Sequence, residues 1–202
     1  MTNEELRNIQ KMDFYVLKEI KRVCEKNNIP YFLIGGTLIG AIRHKGFIPW
    51  DDDIDIAMLR PDFERFLEVC KTDLGQEFFL QTPQNEINCA DYGLARIRLN
   101  ETKIIIESRK SAKLHEGFYV EVFPYDKLPD NKISQFFYGN WFPVLKRVYA
   151  IRKGYKPHPR TLYARVAVNF FNALLKPVST EKLKKKLDSY HLKYAEKNTK
   201  KL

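Results

Sequence analysis

Several things are scarce in this sequence, and each scarcity closes off a class of protein. Cysteine occurs three times, as Cys24, Cys70 and Cys89. An odd, scattered set without paired spacing excludes a disulfide framework and a cysteine-built zinc site. Cys24 and Cys70 fall on apolar faces of predicted helices and read as core thiols of a reducing compartment. No basic-then-apolar segment opens the chain, so no signal peptide is expected. The longest apolar stretch, around 162–175, is interrupted by Arg165, Asn169 and Asn172 and makes a poor membrane span. Internal repeats and low-complexity segments are absent. Acidic residues nearly vanish from the last part of the chain, where residues 141–202 carry 16 Lys/Arg against 3 Asp/Glu. The net charge of +10 is therefore concentrated there, and the first 140 residues are near neutral. Such a tail suits nucleic acid, an anionic membrane surface or a phosphate-rich acceptor, or is a solvated helical face. Charge does not separate these.

What is present is an ordinary globular composition, 44% hydrophobic and 30% charged over 202 residues. That predicts one domain with a substantial core and a smaller appended region. Thr2-Asn3-Glu4-Glu5 is a capping-box pattern opening an amphipathic helix over 3–26, which Asn27-Asn28-Ile29-Pro30 stops. A short buried strand is predicted over 31–34, a glycine break at Gly35-Gly36, and a helix over 37–44. A loop fixed by Pro49 follows, then an alternating strand over 53–58 and a helix entered through Pro61. Leu94–Leu99 and Lys103–Ile106 read as a hairpin joined by Asn100-Glu101-Thr102, and Phe118–Phe123 reads as a further strand. The tail reads as helices over 132–151, 160–175 and 180–196, the first broken at Pro143. The mixture predicts an α/β (α+β) fold.

The stretch Phe32–Met58 carries the chemistry. Asp53 and Asp55 alternate, which on a strand puts both carboxylates on one face roughly 6.5–7 Å apart. At an effective dielectric of 20 two such charges repel by roughly 2–2.5 kcal/mol. Asp51 and Asp52 worsen the balance. A divalent cation with oxygen ligands relieves it; the plain alternative is an acidic, solvated strand entrance. Gly35-Gly36-Thr37 between strand and helix lets backbone N–H groups approach an anion, or is only a tight turn. A glycine turn followed closely by a same-face carboxylate pair favours phosphoryl chemistry. Glu121, between Val120 and Val122, is the candidate third metal ligand, or lies on an exposed face. Arg43 suits bidentate phosphate binding, His44 is a proton carrier or a surface histidine, and Lys45 reads as a solvated charge. Trp50 is either a core anchor or a wall of the substrate pocket. Arg96 and Arg98 alternate on one strand and either reach a diphosphate or pair with carboxylates across the sheet.

The run G-G-T-L-I-G-A-I-R-H-K-G-F-I-P-W-D-D-D-I-D-I, with Y-V-E-V-F-P-Y-D downstream, resembles the LicD family of phosphocholine and fukutin-type phosphotransferases. The resemblance implies a nucleotidyltransferase-like mixed sheet flanked by helices. The resemblance covers roughly residues 14–128; a catalytic domain is expected over 1–130, with a helical basic region over 131–202 that matches no motif of the family. Carried over, Gly36 and Thr37 match the phosphate-binding turn that Gly35 opens, Asp53 and Asp55 the metal-binding pair, and Arg43 a substrate-site position. Glu121 falls where the family usually has Asp, a departure that puts a longer side chain in the third ligand position. The implied cofactor is Mg²⁺, with Mn²⁺ as the alternative.

The expected function is transfer of a phosphocholine-like group from a CDP-activated donor to a sugar hydroxyl of a cell-surface glycan. Trp50 then gains a reason to line the pocket, since aromatic faces hold quaternary ammonium groups. Two rivals stand beside it. One is a nucleotidyltransferase moving NMP from an NTP, and the other a non-catalytic basic module on anionic membrane or nucleic acid. The partners expected are donor and acceptor, without nucleic acid. The expected place is the cytoplasm, with the basic tail touching the inner face of the membrane.

Overall fold

The computed structural model describes residues 2–127, 130–155 and 162–192. The chain divides into two compact units. The first comprises Met1–Asn85, Gly93–Ile104 and His115–Tyr125, and the second Glu86–Tyr92, Ile105–Leu114 and Asp126–Leu202.

In the first unit, helix α1 (Asn3–Asn27) opens with the capping box read from the sequence. The Thr2 hydroxyl accepts from Glu5 N–H at 3.2 Å, and Glu5 Oε2 accepts from Thr2 N–H at 2.7 Å. Strand β1 (Phe32–Leu33) leads into α2 (Gly35–His44), and β2 (Asp55–Leu59) leads into α3 (Arg60–Asp73). Then come β3 (Phe78–Gln81), β4 (Ala95–Leu99) and β5 (Tyr119–Tyr125). The strands form one mixed sheet in the order β1-β2-β5-β4-β3. β2 and β5 run parallel, and the other neighbours are antiparallel.

Alternation gives this sheet two unlike faces. Ile56, Met58, Val120, Val122, Ile97 and Leu99 are buried with Val16, Ile20 and Val23 of α1 and Phe63 and Phe66 of α3. Cys24 and Cys70 lie in the same core, where burial pushes the Cys24 thiol up to about 12 and the Cys70 thiol upward as well. These are inert thiols. The opposite face carries the polar residues of the strands.

In the second unit, α4 (Lys132–Arg152), α5 (Leu162–Leu174) and α6 (Thr180–Leu192) surround a core that includes Phe142, Leu145, Val148, Tyr149 and Leu187. No described helix is long and apolar enough to cross a membrane.

Three expectations are corrected, and one strand is added. Lys103–Ile106 is not a strand, because β4 already has β3 on one edge and β5 on the other and leaves no ladder edge for a hairpin partner. Its missing neighbour is Phe78–Gln81, a strand that lacks the alternation that marks one. Pro143 does not break α4, which runs through it. The lost helical bond costs about 3 kcal/mol, and burial of Phe142, Leu145 and Val148 on either side offsets it. Asp53 lies just before the ladder and not on β2, which starts at Asp55. The predicted helix ends at 160–161 and 193–196 lie outside the described residues.

Candidate active site

The site begins where α2 meets β2. Gly35 has φ +56°, in the left-handed region, and a Cβ there would stand 3.5 Å from Asp55 Oδ2. A Cβ on Gly36 would press on Asp51 Oδ2, so with any larger residue that carboxylate would have to swing away from the first turn of α2. A helix N-terminus favours negative charge, and Asp51 supplies some of it. Thr37 does something not foreseen: its Oγ1 accepts from Asp55 N–H at 2.9 Å and so pins the first residue of β2. Ile34 N–H donates to Asp55 carbonyl oxygen at 3.2 Å, closing the same junction from the other side.

Register then builds a polar row across four strands. Asp55 is opposite Glu121, Glu121 opposite Arg96, and Arg96 opposite Gln81. Arg96, 1% exposed, donates from Nε and Nη2 to Glu121 Oε1 at 2.9 and 2.6 Å. Arg98 donates to Gln81 Oε1 at 2.8 Å and to the Gly117 carbonyl at 2.5 Å. Both guanidinium groups lie over the Tyr119 ring, 5.3 and 4.6 Å from its centroid. The cross-strand carboxylate pairing considered for both arginines is thus seen directly at Arg96.

The electrostatics are those of crowded acids. Burial, and then repulsion from Asp51, Asp52 and Glu121, pushes Asp53 up to about 6. Burial, then Asp53, Glu121 and Asp51, pushes Asp55 up to about 7, with Arg96 pulling the other way. Burial and Asp52 raise Asp51 also. Asp55 Oδ1 is buried without a hydrogen-bond partner. A buried carboxylate oxygen left unbonded is costly, and a hard cation is the group that would satisfy it. The donor set therefore fits a divalent ion. The fit is not a finished cage: among the described residues no group of three or more His, Cys, Asp or Glu is arranged to hold a metal. Glu121, the expected third ligand, is engaged by Arg96.

Gly35, Gly36, Thr37, Asp53, Asp55, Glu121 and Arg96 gather around one end of the sheet. Arg43 and Trp50 do not join them in the same way. Arg43 is in the last turn of α2, about 12 Å along the axis from Gly35. Trp50 is 76% exposed, and among the described residues the ring it meets is that of His44, edge-on, with centroids 6.5 Å apart. That exposure excludes the core-anchor reading.

Two residues were not anticipated. Gln10 and Asp13 of α1 are buried, and Gln10 Nε2 donates to the Asp51 carbonyl at 2.9 Å. Asp13 Oδ1 accepts from Tyr119 N–H at 3.3 Å. Their signal was an interruption of the helix's apolar stripe between Leu6 and Val16 by polar residues at helical spacing.

The profile of the LicD/FKTN/FKRP nucleotidyltransferase domain matches residues 28–186. The lipopolysaccharide cholinephosphotransferase LicD of Haemophilus influenzae is 30% identical over 193 residues, which is 94% of this chain and 69% of that protein. Human ribitol 5-phosphate transferase FKRP is 45% identical over 40 residues, 20% of this chain and 8% of its own length. An uncharacterised Rickettsia typhi protein is 41% identical over 56 residues, covering 28% of this chain and 18% of that one. No solved structure matches.

Proposed function

We infer the function from one premise: this chain belongs to the LicD family, the nucleotidyltransferase domain shared with FKTN and FKRP. It is a phosphotransferase, and we propose that it moves a phosphocholine-like group from a CDP-alcohol to a sugar hydroxyl of a cell-surface glycan. The observation that carries this reading is the buried, unbonded Oδ1 of Asp55 in a row with Glu121 and Arg96, beside the first turn of α2.

In this reading the first unit is the catalytic one. Asp53, Asp55 and Glu121 are the residues that would hold Mg²⁺, or Mn²⁺ in its place. Bound there, the ion supplies neutralising charge for the diphosphate and the leaving CMP. Gly35 and Gly36 leave room for the Asp55 and Asp51 carboxylates beside the first turn of α2, and Thr37 holds Asp55 in place. Arg96 orients Glu121 through two bonds to one oxygen. The acceptor oxygen bonds to phosphorus as the bond to the CMP oxygen breaks, and a carboxylate takes the hydroxyl proton. Asp55 is favoured over Glu121 for that proton, because Arg96 already occupies Glu121 Oε1. Arg43 and Trp50 are left to parts of the substrates beyond the diphosphate.

The product assay is decisive. Wild-type protein with Mg²⁺ and CDP-choline or CDP-ribitol should release CMP, and with CTP should release no pyrophosphate. Pyrophosphate from CTP would move the assignment to the nucleotidyltransferase rival. The double variant Asp53→Asn, Asp55→Asn should lose turnover and keep its circular dichroism spectrum; a folded double variant that still turns over refutes the mechanism.

Contact with an anionic membrane surface belongs to the same proposal. It is supported by Val166, Phe170 and Leu174, which form an exposed apolar stripe on α5 near exposed Arg165 and Lys176. Co-sedimentation with phosphatidylglycerol vesicles, and its loss in Phe170→Ser, tests it.

A further inference from the structure

We infer that Gln10 and Asp13 are positioning residues for the transfer, two side chains one helical turn apart on α1 that set the spacing between the chain segments bearing the site's carboxylates. The inference rests on the reading of the site given above and adds to it a part of the molecule that no motif covers.

The acidic segment 51–54 belongs to no ladder. Its backbone is fixed at one end by Asp51 N–H to the Ile48 carbonyl, 3.0 Å, and at the other by Glu121 N–H to the Ile54 carbonyl, 3.0 Å. Between those anchors the Asp51 carbonyl is held by Gln10 Nε2. The amide's orientation is set from behind, since Arg7 Nη1 donates to Gln10 Oε1 at 3.0 Å, which turns the NH₂ group toward Asp51. Three residues later on the same helix face, Asp13 takes the backbone N–H of Tyr119, two residues before Glu121. Residues at i and i+3 of a helix are neighbours at fixed distance. The helix thus acts as a jig: one tooth holds the segment leading to Asp53 and Asp55, the next holds the segment leading to Glu121.

These two residues do more than fill the apolar stripe of α1. Gln10 and Asp13 are 4% and 3% exposed, in a stripe otherwise filled by Leu6, Val16, Ile20 and Val23. Apolar side chains at both positions would bury more apolar surface but would take these partners from the Asp51 carbonyl and the Tyr119 N–H. The pair both satisfies and places those two groups. That placement matters, since a displacement of about 1 Å at a reacting centre costs up to about 100-fold in rate.

The test uses the full chain. Gln10→Met keeps the volume and removes the amide, Asp13→Ala removes the acceptor, and Asp13→Asn keeps the acceptor oxygen. Three quantities are read: kcat and KM for CMP release at 25 °C, the melting temperature, and hydrogen exchange of the amides of 52–55 and 119–121. Gln10→Met should lower kcat by about 10- to 100-fold, with KM for the donor within about threefold. Its melting temperature should fall by no more than about 5 °C. Exchange should quicken at 52–55 and not across the rest of the sheet. Asp13→Ala should do the same with exchange quickened at 119–121, and Asp13→Asn should restore kcat. Unchanged kcat in both loss variants, or exchange that quickens throughout the sheet, would overturn the inference. If wild-type protein turns over no CDP-alcohol, the proposed function fails, while the exchange measurements still decide whether the jig exists.

Discussion

Replacing Asp13 with Asn is expected to stabilise the protein by an amount that grows with pH. The Asp13 carboxyl is pushed up to about 8 from its ordinary 3.8, first by burial, then by Asp53 and Asp52, while Tyr119 N–H and Arg98 pull it down. The unfolded chain gives up this proton near pH 4 and the folded chain keeps it until near pH 8. Across that window the folded state holds the extra proton, so stability falls as pH rises. The slope is about 1.4 kcal/mol per pH unit. Carried to pH 7 it amounts to about 4 kcal/mol, an upper limit on what Asn can return. At pH 5 the figure is about 1.5 kcal/mol, and below pH 4, where both states are protonated, it vanishes. Asn cannot ionise and still offers Oδ1 to Tyr119 N–H. Urea unfolding of both proteins at pH 5, 6, 7 and 8 in metal-free buffer measures the difference. Taking the difference cancels Asp53 and Asp55, which titrate in the same window, at about 6 and about 7. A gap that stays flat with pH, or a less stable variant, would refute the reasoning.

Three further outcomes follow from the geometry. Arg96→Met leaves Glu121 beside Asp55 without the counter-charge it holds at 2.6 Å. It should cost about 3–5 kcal/mol in urea unfolding, and adding Glu121→Gln should return part of that. Gly40→Ala would put a Cβ 2.5 Å from the Gly46 carbonyl oxygen and 2.8 Å from Ile48 N. Because both are backbone atoms it should cost about 1–3 kcal/mol, whereas Gly46→Ala, with nothing within 4 Å, should be near neutral. Mg²⁺ titrated into the protein at about pH 6.5 should release protons from Asp53 and Asp55, because ligation needs the carboxylate form. Calorimetry in two buffers of different ionisation enthalpy reads this as unequal heats, and equal heats would count against it.

Much of this was legible in the amino-acid order, for identifiable reasons. Local rules carry local structure: the Thr2/Glu5 box announces α1, and Pro61 marks the entry to α3. The Gly35-Gly36-Thr37 turn and the residues Asp53 and Asp55 stood out as candidates because unusual backbone freedom and repelling charges leave few ordinary explanations. The Thr37 bond to Asp55 N–H and the place of Asp53 ahead of β2 did not show. What stayed hidden depends on partners far along the chain. The isoleucines of 104–106 have strand propensity but find no free edge on β4, and Phe78–Gln81 becomes a strand because it takes one of the two. Arg96 was visible as a candidate, but its lock on Glu121 follows from register, which no local pattern fixes. Gln10 and Asp13 interrupt an apolar stripe, a mark that says polar and buried without saying against what.

The row Asp55–Glu121–Arg96–Gln81 has a further consequence, for the order of events in folding. Its members come from four strands, and the parallel β2–β5 pairing joins segments separated by α3, β3 and β4. Such long-range closure is slow, because loop entropy is lost before contacts repay it. The helices can form early, but no part of the row exists until the sheet does. Recovered turnover during refolding should therefore lag the helical signal and keep step with burial of the strands, making catalysis itself a clock for completion of the sheet.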